Sequence, residues 1–193
     1  MDGEKQKIVD FLQEIEKLKL VERKMYTSGG SRESTPEHTW HMCMYALLFG
    51  DGKLDMLKLV KMVLVHDLVE VYAGDASVWD KKAREGKKER EQKAAEKLFG
   101  MLPRRYEKEF MGLWYEFEDC ITSEAKSAKI FDGLQAVGQQ ISSGGMAWKE
   151  QGVTLEMLKE KAASYGYGKD KTIDKIWEEF FQIADERNMF ADK

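Results

Sequence analysis

Residues 54–73 form one long apolar segment, which constrains the fold more than any other part of the chain. Its sequence is LDMLKLVKMVLVHDLVEVYA, and after Leu59 apolar side chains fall on nearly every side of a helix. A helix of that kind is usually buried, so the segment predicts a central helix surrounded by other helices. Gly74 follows it and predicts its C-terminal end.

The other segments show helical periodicity and almost no strand alternation. A first helix is predicted over about 4–20, where five apolar side chains recur at steps of three and four. These side chains are Ile8, Phe11, Leu12, Ile15 and Leu18. A second helix is predicted over about 36–50, after a Gly/Ser-rich break at 27–35 that ends in two candidate N-caps, Ser34 and Thr35. Further helices are predicted near 87–100, 103–118, 122–142, 154–164 and 171–190.

The length and composition predict a single all-α domain over residues 1–193. Apolar residues make up 42% of the chain and charged residues 34%, which is typical of a globular protein with a sizeable core. We expect a helical core over about 4–148 and a C-terminal helical extension over about 150–193. No motif is recognised in the extension, and it is interpreted as an added pair of packing helices.

The charge and the cysteines exclude several classes of partner and site. A formal net charge of −4 gives no electrostatic reason to expect binding to long nucleic acid. Cys43 and Cys120 fit neither a metal-knuckle spacing nor a disulfide framework, so free thiols are expected. The sequence shows no secretory signal and no run of about 18 apolar residues, so we expect a cytoplasmic protein without a membrane span.

Polar residues interrupt the central segment where it is most apolar. His66, Asp67 and Glu70 stand within VLVHDLVEVY, and a buried, unpaired carboxylate costs several kcal/mol or shifts its pKa. Consecutive helical residues lie about 100° apart, so His66 and Asp67 can both reach an ion beside the helix. Glu70 lies three and four residues further along, which places it on the same side. This spacing suits a metal site.

The remaining histidines and one isolated aspartate extend this candidate site. His38 and His41 stand in PEHTWH at the start of the second helix; His38 shares the face predicted to be buried, whereas His41 fits a surface or supporting position. Asp132 is the isolated carboxylate in the apolar stretch SAKIFDGLQ. Spacing alone leaves an alternative open: His66 and Asp67 belong to a satisfied polar network, and Asp132 bonds a neighbouring backbone group.

Three motifs in order resemble the HD-domain superfamily of metal-dependent phosphohydrolases: EH in PEHTWH, HD in VHDLVEVYAGD and D in AKIFDGLQ. The sequence around these motifs, over about residues 8–148, resembles the sequences of the branch that contains 5′-deoxynucleotidases. The resemblance implies a bundle of about five or six core helices. It also implies a divalent ion held by His38, His66, Asp67 and Asp132, with Asp67 at the catalytic centre.

The same resemblance implies roles for residues around the metal. Glu70 orients the attacking water or relays its proton, Asp75 contacts the sugar, and Arg23 holds the phosphate. In that branch a tryptophan near the arginine helps to recognise the sugar. Here Tyr26 stands nearby and is the candidate to stack on the sugar or base, but its hydroxyl changes the polar contacts, so a deoxyribose preference does not follow from the resemblance. Arg32 is a second candidate phosphate contact. For Arg23 and Arg32 the alternative is an ordinary surface arginine.

The resemblance implies that the protein hydrolyses (deoxy)nucleoside 5′-monophosphates to nucleoside and phosphate. It also implies a homodimer. Mixed nitrogen and oxygen ligands are compatible with Mn, Fe, Co, Ni, Zn or Mg, and the ligand types alone do not identify the metal. No P-loop is present, which argues against phosphoryl transfer from ATP. The alternatives are an HD-type hydrolase of another nucleotide phosphoester and a non-catalytic nucleotide-binding sensor.

Three further features have no assigned function at this stage. The mixed charges of 80–93 are typical of a solvated surface, with a phosphate-facing flap as the alternative. Gly133 replaces a larger side chain expected after Asp132. Several aromatic side chains outside the motifs are interpreted as core, with a dimer surface as the alternative. These are Trp114, Phe117, Trp177, Phe180 and Phe181.

Overall fold

Helices account for most of residues 3–191, the part of the chain that the computed structural model describes. The α-helices are α1 (Gly3–Ile15), α2 (Thr35–Phe49), α3 (Met56–His66), α4 (Glu70–Ala73), α5 (Lys87–Phe99), α6 (Arg104–Asp119), α7 (Ser123–Ser142), α8 (Met146–Glu150), α9 (Leu155–Tyr165) and α10 (Lys171–Glu186). A 3-10 helix (Glu16–Leu20) and two strands, β1 (Glu22–Tyr26) and β2 (Arg32–Ser34), complete the elements. The predicted all-α class is confirmed.

The central position of α3 is explained by the helices that surround it. It packs against α2, α6 and α7. Its buried apolar side chains are Leu59, Met62, Val63 and Val65. However, Leu57 is 68% exposed and Leu64 is 50% exposed. The predicted central position agrees with this packing, and Leu57 and Leu64 mark one outward face of α3 that no element of residues 3–191 covers.

The helix predicted over 54–73 is interrupted immediately after His66. Four backbone N–H groups beyond this point donate to carbonyls only three residues back. The bonds run from Leu68 to Val65 (3.2 Å), from Glu70 to Asp67 (3.0 Å), from Val71 to Leu68 (3.2 Å) and from Tyr72 to Val69 (3.1 Å). Side chains three residues apart eclipse each other in this tighter geometry. The break therefore places Asp67 and Glu70 on the same side of the chain.

The N-terminal segment is helical over the predicted range but changes its geometry. After Ile15 the α-helix continues as the 3-10 helix. Phe11 and Leu18 are buried as predicted, whereas Leu12 is 56% exposed and does not belong to the inward stripe. Leu12 precedes the change of geometry, so its exposure reflects its position on the outward face of α1.

A hairpin replaces part of the loop predicted at 27–35. Strands β1 and β2 pair antiparallel, and their buried side chains are charged: Arg23 on β1 and Glu33 on β2. No alternation of apolar and polar residues could reveal such strands, because their inward positions are ionic. Ser34 then caps α2, where its backbone N–H and its hydroxyl donate to the carboxylate of Glu37 at 2.7 and 2.8 Å.

The C-terminal helices pack onto the bundle and supply much of its aromatic core. Helices α9 and α10 both contact α7. The aromatic residues singled out from the sequence are buried or half-buried, which agrees with their interpretation as core. The last helix ends at Glu186 rather than near residue 190. Both cysteines are free. Within residues 3–191, none of the helices has the length and apolar character needed to cross a membrane.

Candidate metal centre

Two buried histidines turn their Nε2 atoms toward a common point. The Nδ1 atom of His38 lies 2.5 Å from the side-chain oxygen of Gln135, and that of His66 lies 2.6 Å from the carbonyl oxygen of Val63. Each acceptor favours a hydrogen on Nδ1 and leaves Nε2 with a free lone pair. Both Nε2 atoms are buried without a hydrogen-bond partner. This is the tautomer required of a neutral metal ligand.

Two carboxylates approach the same point. The Oδ2 atom of Asp67 lies 3.0 Å from Nε2 of His66 and 3.6 Å from Nε2 of His38. The Oδ1 atom of Asp132 lies 3.3 Å from Nε2 of His38. Ligand atoms of His38, His66 and Asp67 all lie within 4.8 Å of one another, as the donors of one ion would. The structure thus places three of the four candidate ligands within reach of one ion and the fourth, Asp132, beside His38.

The electrostatics favour ionised carboxylates at this centre. Burial raises the pKa of Asp67, but His66, His38 and Arg23 outweigh burial and hold that pKa well below its ordinary range. Burial likewise raises the pKa of Asp132, and the two histidines outweigh it. Carboxylates must be deprotonated to bind a metal. Two unpaired imidazole nitrogens beside two ionised carboxylates fit a divalent cation.

Gln135 contacts the candidate ligand His38 on the side of the imidazole that faces away from the metal centre. Its side-chain oxygen lies at Nδ1 of His38, while its amide nitrogen donates to Oε1 of Glu33 at 2.7 Å. The same nitrogen lies 3.3 Å from Nδ1 of His41. His41 therefore contacts this supporting network and is not grouped with the candidate ligands. Such partners fix the orientation of a ligating imidazole.

Arg23 joins the hairpin to the metal centre. Its Nε atom lies 3.2 Å from Oε2 of Glu33, and its Nη1 atom lies 3.6 Å from Oδ2 of Asp67. Both Arg23 and Glu33 are buried. Two carboxylates thus hold the guanidinium, and Arg23 also lines the cavity in front of the centre. The buried positions of the two strands are charged because Arg23 and Glu33 pair with each other and connect the hairpin to Asp67.

Glu70 lies beside the ligands, and its carboxylate is held by Thr35. The hydroxyl of Thr35 donates to Oε2 of Glu70 at 2.8 Å. Burial, together with the charges of Asp67 and Asp75, raises the pKa of Glu70 well above its ordinary value. A carboxyl group with a raised pKa that faces a cavity is suited to proton transfer.

A cavity of about 180 Å³ opens in front of this centre. The predicted site residues that line it are Arg23, Asp67, Glu70, Asp75 and Asp132. Asp75 also accepts a weak hydrogen bond, at 3.4 Å, from the backbone N–H of Lys24. Further basic residues line the cavity, and none of them was assigned a role from the sequence. They are Lys24, Arg84, Lys87, Lys129 and Lys161.

Tyr26 and Arg32 are not among the residues that line the cavity. The hydroxyl of Tyr26 donates to Oε1 of Glu150 at 2.5 Å, and Nη2 of Arg32 donates to Oε2 of the same carboxylate at 3.2 Å. The guanidinium of Arg32 also stacks over the Tyr26 ring at 3.9 Å. Both side chains are thus paired with α8, and the structure does not bring them to the metal centre.

Gly133 is explained by a neighbour from the C-terminal segment. A Cβ atom at this position would lie 2.6 Å from Cδ2 and 2.9 Å from Cγ of Tyr165. The Tyr165 ring therefore occupies the space that a side chain after Asp132 would fill. Tyr165 also lines the cavity. The extension is thus more than a pair of packing helices, since α9 forms part of the cavity wall.

Three supporting residues were missed from the sequence. Gln135 follows Asp132 by three residues on α7, so helical spacing could have shown that the two share a face. Thr35 was considered only as a helix cap. Glu33 gave no signal, because its partners lie on other elements.

The comparisons with known proteins agree with this geometry. A model described as HD domain matches residues 15–168. The chain belongs to the HD domain family. The resemblance inferred from the three motifs is thereby confirmed.

Two curated relatives and two solved structures define this membership further. The 5′-deoxynucleotidases HDDC2 of Dictyostelium discoideum and Homo sapiens are 36% and 31% identical to the chain over 141 and 134 residues. Each match covers 68% of this chain, and they cover 74% and 66% of the relatives. The chain thus spans about two thirds of its curated relatives.

A structure described as a predicted metal-dependent phosphohydrolase from Magnetospirillum magnetotacticum has a TM-score of 0.89 and 31% identity. The superposition covers 99% of this chain and 100% of that one. The two chains therefore share the whole architecture, including the C-terminal helices. The PH0347 protein of Pyrococcus horikoshii has a TM-score of 0.65 and 21% identity, with 91% of this chain and 99% of that one covered. It shows a similar fold.

Proposed function

We propose that this HD-family protein is a metal-dependent phosphohydrolase that converts (deoxy)nucleoside 5′-monophosphates to nucleoside and phosphate. The observation that carries the proposal is the pair of buried, unpartnered Nε2 atoms of His38 and His66 next to Asp67 and Asp132. The names of the curated relatives support the substrate class. The cavity in front of the centre supports a small organic phosphate.

His38, His66, Asp67 and Asp132 would hold the divalent ion. When bound, such an ion polarises a phosphoryl oxygen and lowers the pKa of a coordinated water. Mn, Fe, Co, Ni, Zn and Mg are the candidates, and the nitrogen ligands favour the transition metals among them.

The protein side chains around the ion complete the proposed mechanism. Glu70, held by Thr35, orients the attacking water and accepts its proton. Arg23 faces the cavity with donors suited to phosphate oxygens, while Glu33 and Asp67 fix its position. Asp75 at the cavity wall is positioned to accept a hydrogen bond from a sugar hydroxyl.

Phosphate release from a panel of nucleotides tests the proposal. The protein is stripped of metal, reloaded with one candidate metal at a time, and assayed with ribo- and deoxyribonucleoside 5′-monophosphates, diphosphates and triphosphates. We expect metal-dependent release from monophosphates. Activity confined to triphosphates would replace the proposed substrate class. Tight nucleotide binding without turnover under every metal would replace the enzyme with a sensor.

We also propose a homodimer, supported by exposed apolar residues on α2. Trp40, Leu47 and Leu48 are each more than half exposed, and their spacing places them on one side of the helix. Leu48→Lys is expected to shift the protein from dimer to monomer in sedimentation velocity. Leu20→Lys, at an equally exposed leucine outside α2, is the control and should not change the mass. A monomeric unmodified protein would contradict the dimer.

We propose a cytoplasmic location, supported by the two free thiols. Reduced cysteines are typical of compartments kept reducing by glutathione and thioredoxin. Fractionation of cells that produce the protein from its own gene tests this location.

A further inference from the structure

Two basic residues of the cavity wall have no acidic partner. Arg84 lies in the turn before α5, and Lys161 lies on α9; neither has a carboxylate oxygen within 4.0 Å among residues 3–191. Other cations of the wall are already paired. Lys87 contacts Glu91 at 2.6 Å and Lys129 contacts Glu118 at 3.1 Å. Lys24 and Arg84 are both exposed, but they act on different groups: the charge of Lys24 acts on the carboxylate of Glu150, whereas that of Arg84 acts on Lys161.

The position of Lys161 is unfavourable for a residue with a purely structural role. It is half-buried, and its ammonium group lies over the Tyr165 ring at 4.6 Å. Burial lowers the pKa of Lys161, the positive charge of Arg84 lowers it further, and the charge of Asp132 opposes both effects. A partly buried lysine that lies near another cation is stabilised when an anion joins the two.

The packing of α9 fixes Lys161 in this position. Leu158 and Ala162 are buried on the inward side of the helix. Tyr165 rests against Gly133, next to Asp132. Helix α9 therefore holds one unpaired cation in the wall of the cavity that the candidate ligands Asp67 and Asp132 also line.

The charges around the metal centre indicate which kind of ligand Arg84 and Lys161 can neutralise. Asp67 and Asp132 together balance one divalent ion, and Glu33 balances Arg23. Glu70 and Asp75 also line the cavity and can only add negative charge to it. A phosphate monoester adds about two negative charges near neutral pH. Arg84 and Lys161 supply two positive charges that no carboxylate of the described chain has neutralised.

We propose that Arg84 and Lys161, together with Arg23 in the same cavity, bind the phosphate group of the substrate that is hydrolysed. This inference rests on the proposed phosphohydrolase function and deepens it. The turn at Arg84 is held by Arg90, which donates to the backbone oxygens of Ala83 and Glu85. The 80–93 segment thus contributes one phosphate contact within an otherwise solvated surface.

Binding of inorganic phosphate to the metal-loaded protein tests the inference without turnover. Lys161→Gln and Arg84→Gln are each expected to weaken phosphate binding by roughly 10- to 100-fold in titration calorimetry, the range for a lost hydrogen bond to a charged group. Metal content by elemental analysis should stay unchanged. Lys161→Arg keeps the charge and should retain most of the affinity.

Matched controls come from the same elements. Lys159 lies on α9 and Lys82 lies in the turn with Arg84, but neither lines the cavity. Their glutamine variants should bind phosphate as tightly as the unmodified protein. Equal losses in the control and test variants would overturn the inference, because they would indicate a general loss of positive charge.

Other outcomes separate this inference from the proposed function. Unchanged phosphate affinity in Lys161→Gln and Arg84→Gln, together with normal nucleotide hydrolysis, would overturn the inference alone. A loss of activity confined to nucleoside diphosphates would also overturn the inference, because Arg84 and Lys161 would then bind the second phosphate group and not the one that is hydrolysed in a monophosphate. If the unmodified protein hydrolyses no nucleotide but phosphate binding falls as expected, the anion site stands and the proposed reaction fails.

Discussion

The side-chain oxygen of Gln135 lies 2.5 Å from Nδ1 of His38. This contact holds the imidazole in the tautomer whose Nε2 atom faces the metal centre. The amide of Gln135 is fixed in turn by Glu33, so the orientation of His38 depends on a buried chain that reaches the hairpin.

Replacement of Gln135 by leucine should therefore weaken metal binding. Loss of such a supporting partner typically costs about 10- to 100-fold in metal affinity. Competition with a chromophoric chelator measures the change. Gln139→Leu is the control: Gln139 lies one turn further along α7 and donates to the backbone oxygen of Tyr26 at 2.8 Å. Equal metal affinities in the two variants would contradict the role of Gln135.

Asp67 and Glu70 should separate metal binding from turnover. Asp67→Ala removes a ligand and is expected to lose both the metal and the activity. Glu70→Gln keeps the shape of the side chain and should retain the metal, while kcat falls by roughly 10²- to 10⁴-fold, the usual contribution of general acid–base catalysis. Elemental analysis and phosphate release provide the two measurements. Full activity in either variant would exclude the assigned role.

Metal binding should raise the melting temperature of the protein. At a free metal concentration of about 100 times Kd, an ion that binds only the folded state adds about 2.7 kcal/mol of stability. For a domain of this size the melting temperature should rise by roughly 5–10 °C. Differential scanning calorimetry before and after addition of metal measures the shift, and a chelator should reverse it. Asp67→Ala is the control, in which metal addition should have almost no effect.

Gly133→Ala should destabilise the protein by about 1–3 kcal/mol, the usual cost of overpacking a core. The added Cβ atom would lie 2.6 Å from the Tyr165 ring. Gly112→Ala is the matched control, since Gly112 lies in α6 with no neighbouring atom within 4 Å, and alanine there should stabilise the helix by up to about 1 kcal/mol. Urea denaturation measures both changes.

A double variant tests the cause of that loss. If the Tyr165 ring is responsible, Gly133→Ala should cost much less in a Tyr165→Leu background. An unchanged cost would show that the ring and the added methyl group do not interact.

Three of the proposed ligands could be singled out from the sequence because each one is polar in a locally apolar stretch. His66 and Asp67 stand out at the end of the central segment, and Asp132 stands out in α7, whereas His38 was found through the helical face that it shares with apolar residues. The break after His66 could not be predicted in the same way, because VLVHDLVEVY keeps helical periodicity on both sides of it. Hydrogen bonds that span three residues rather than four leave no signature in composition.

The supporting residues depend on contacts between distant elements. Arg23 and Glu33 face each other across a hairpin whose inward positions are charged, so no period-two pattern exists to reveal it. Lys161 and Tyr165 lie on a helix that looks ordinary in sequence, and their importance follows from the space left by Gly133. Pairings of this kind are fixed by tertiary packing and not by local propensity.

The contribution of α9 to the cavity links the stability of the C-terminal segment to the shape of the site. Leu158, Ala162 and Tyr165 pack α9 onto the bundle, and the same three residues line the cavity. A substitution that reshapes this wall therefore also changes how α9 packs. We expect that evolving or engineering a new substrate preference here requires compensating changes in the core.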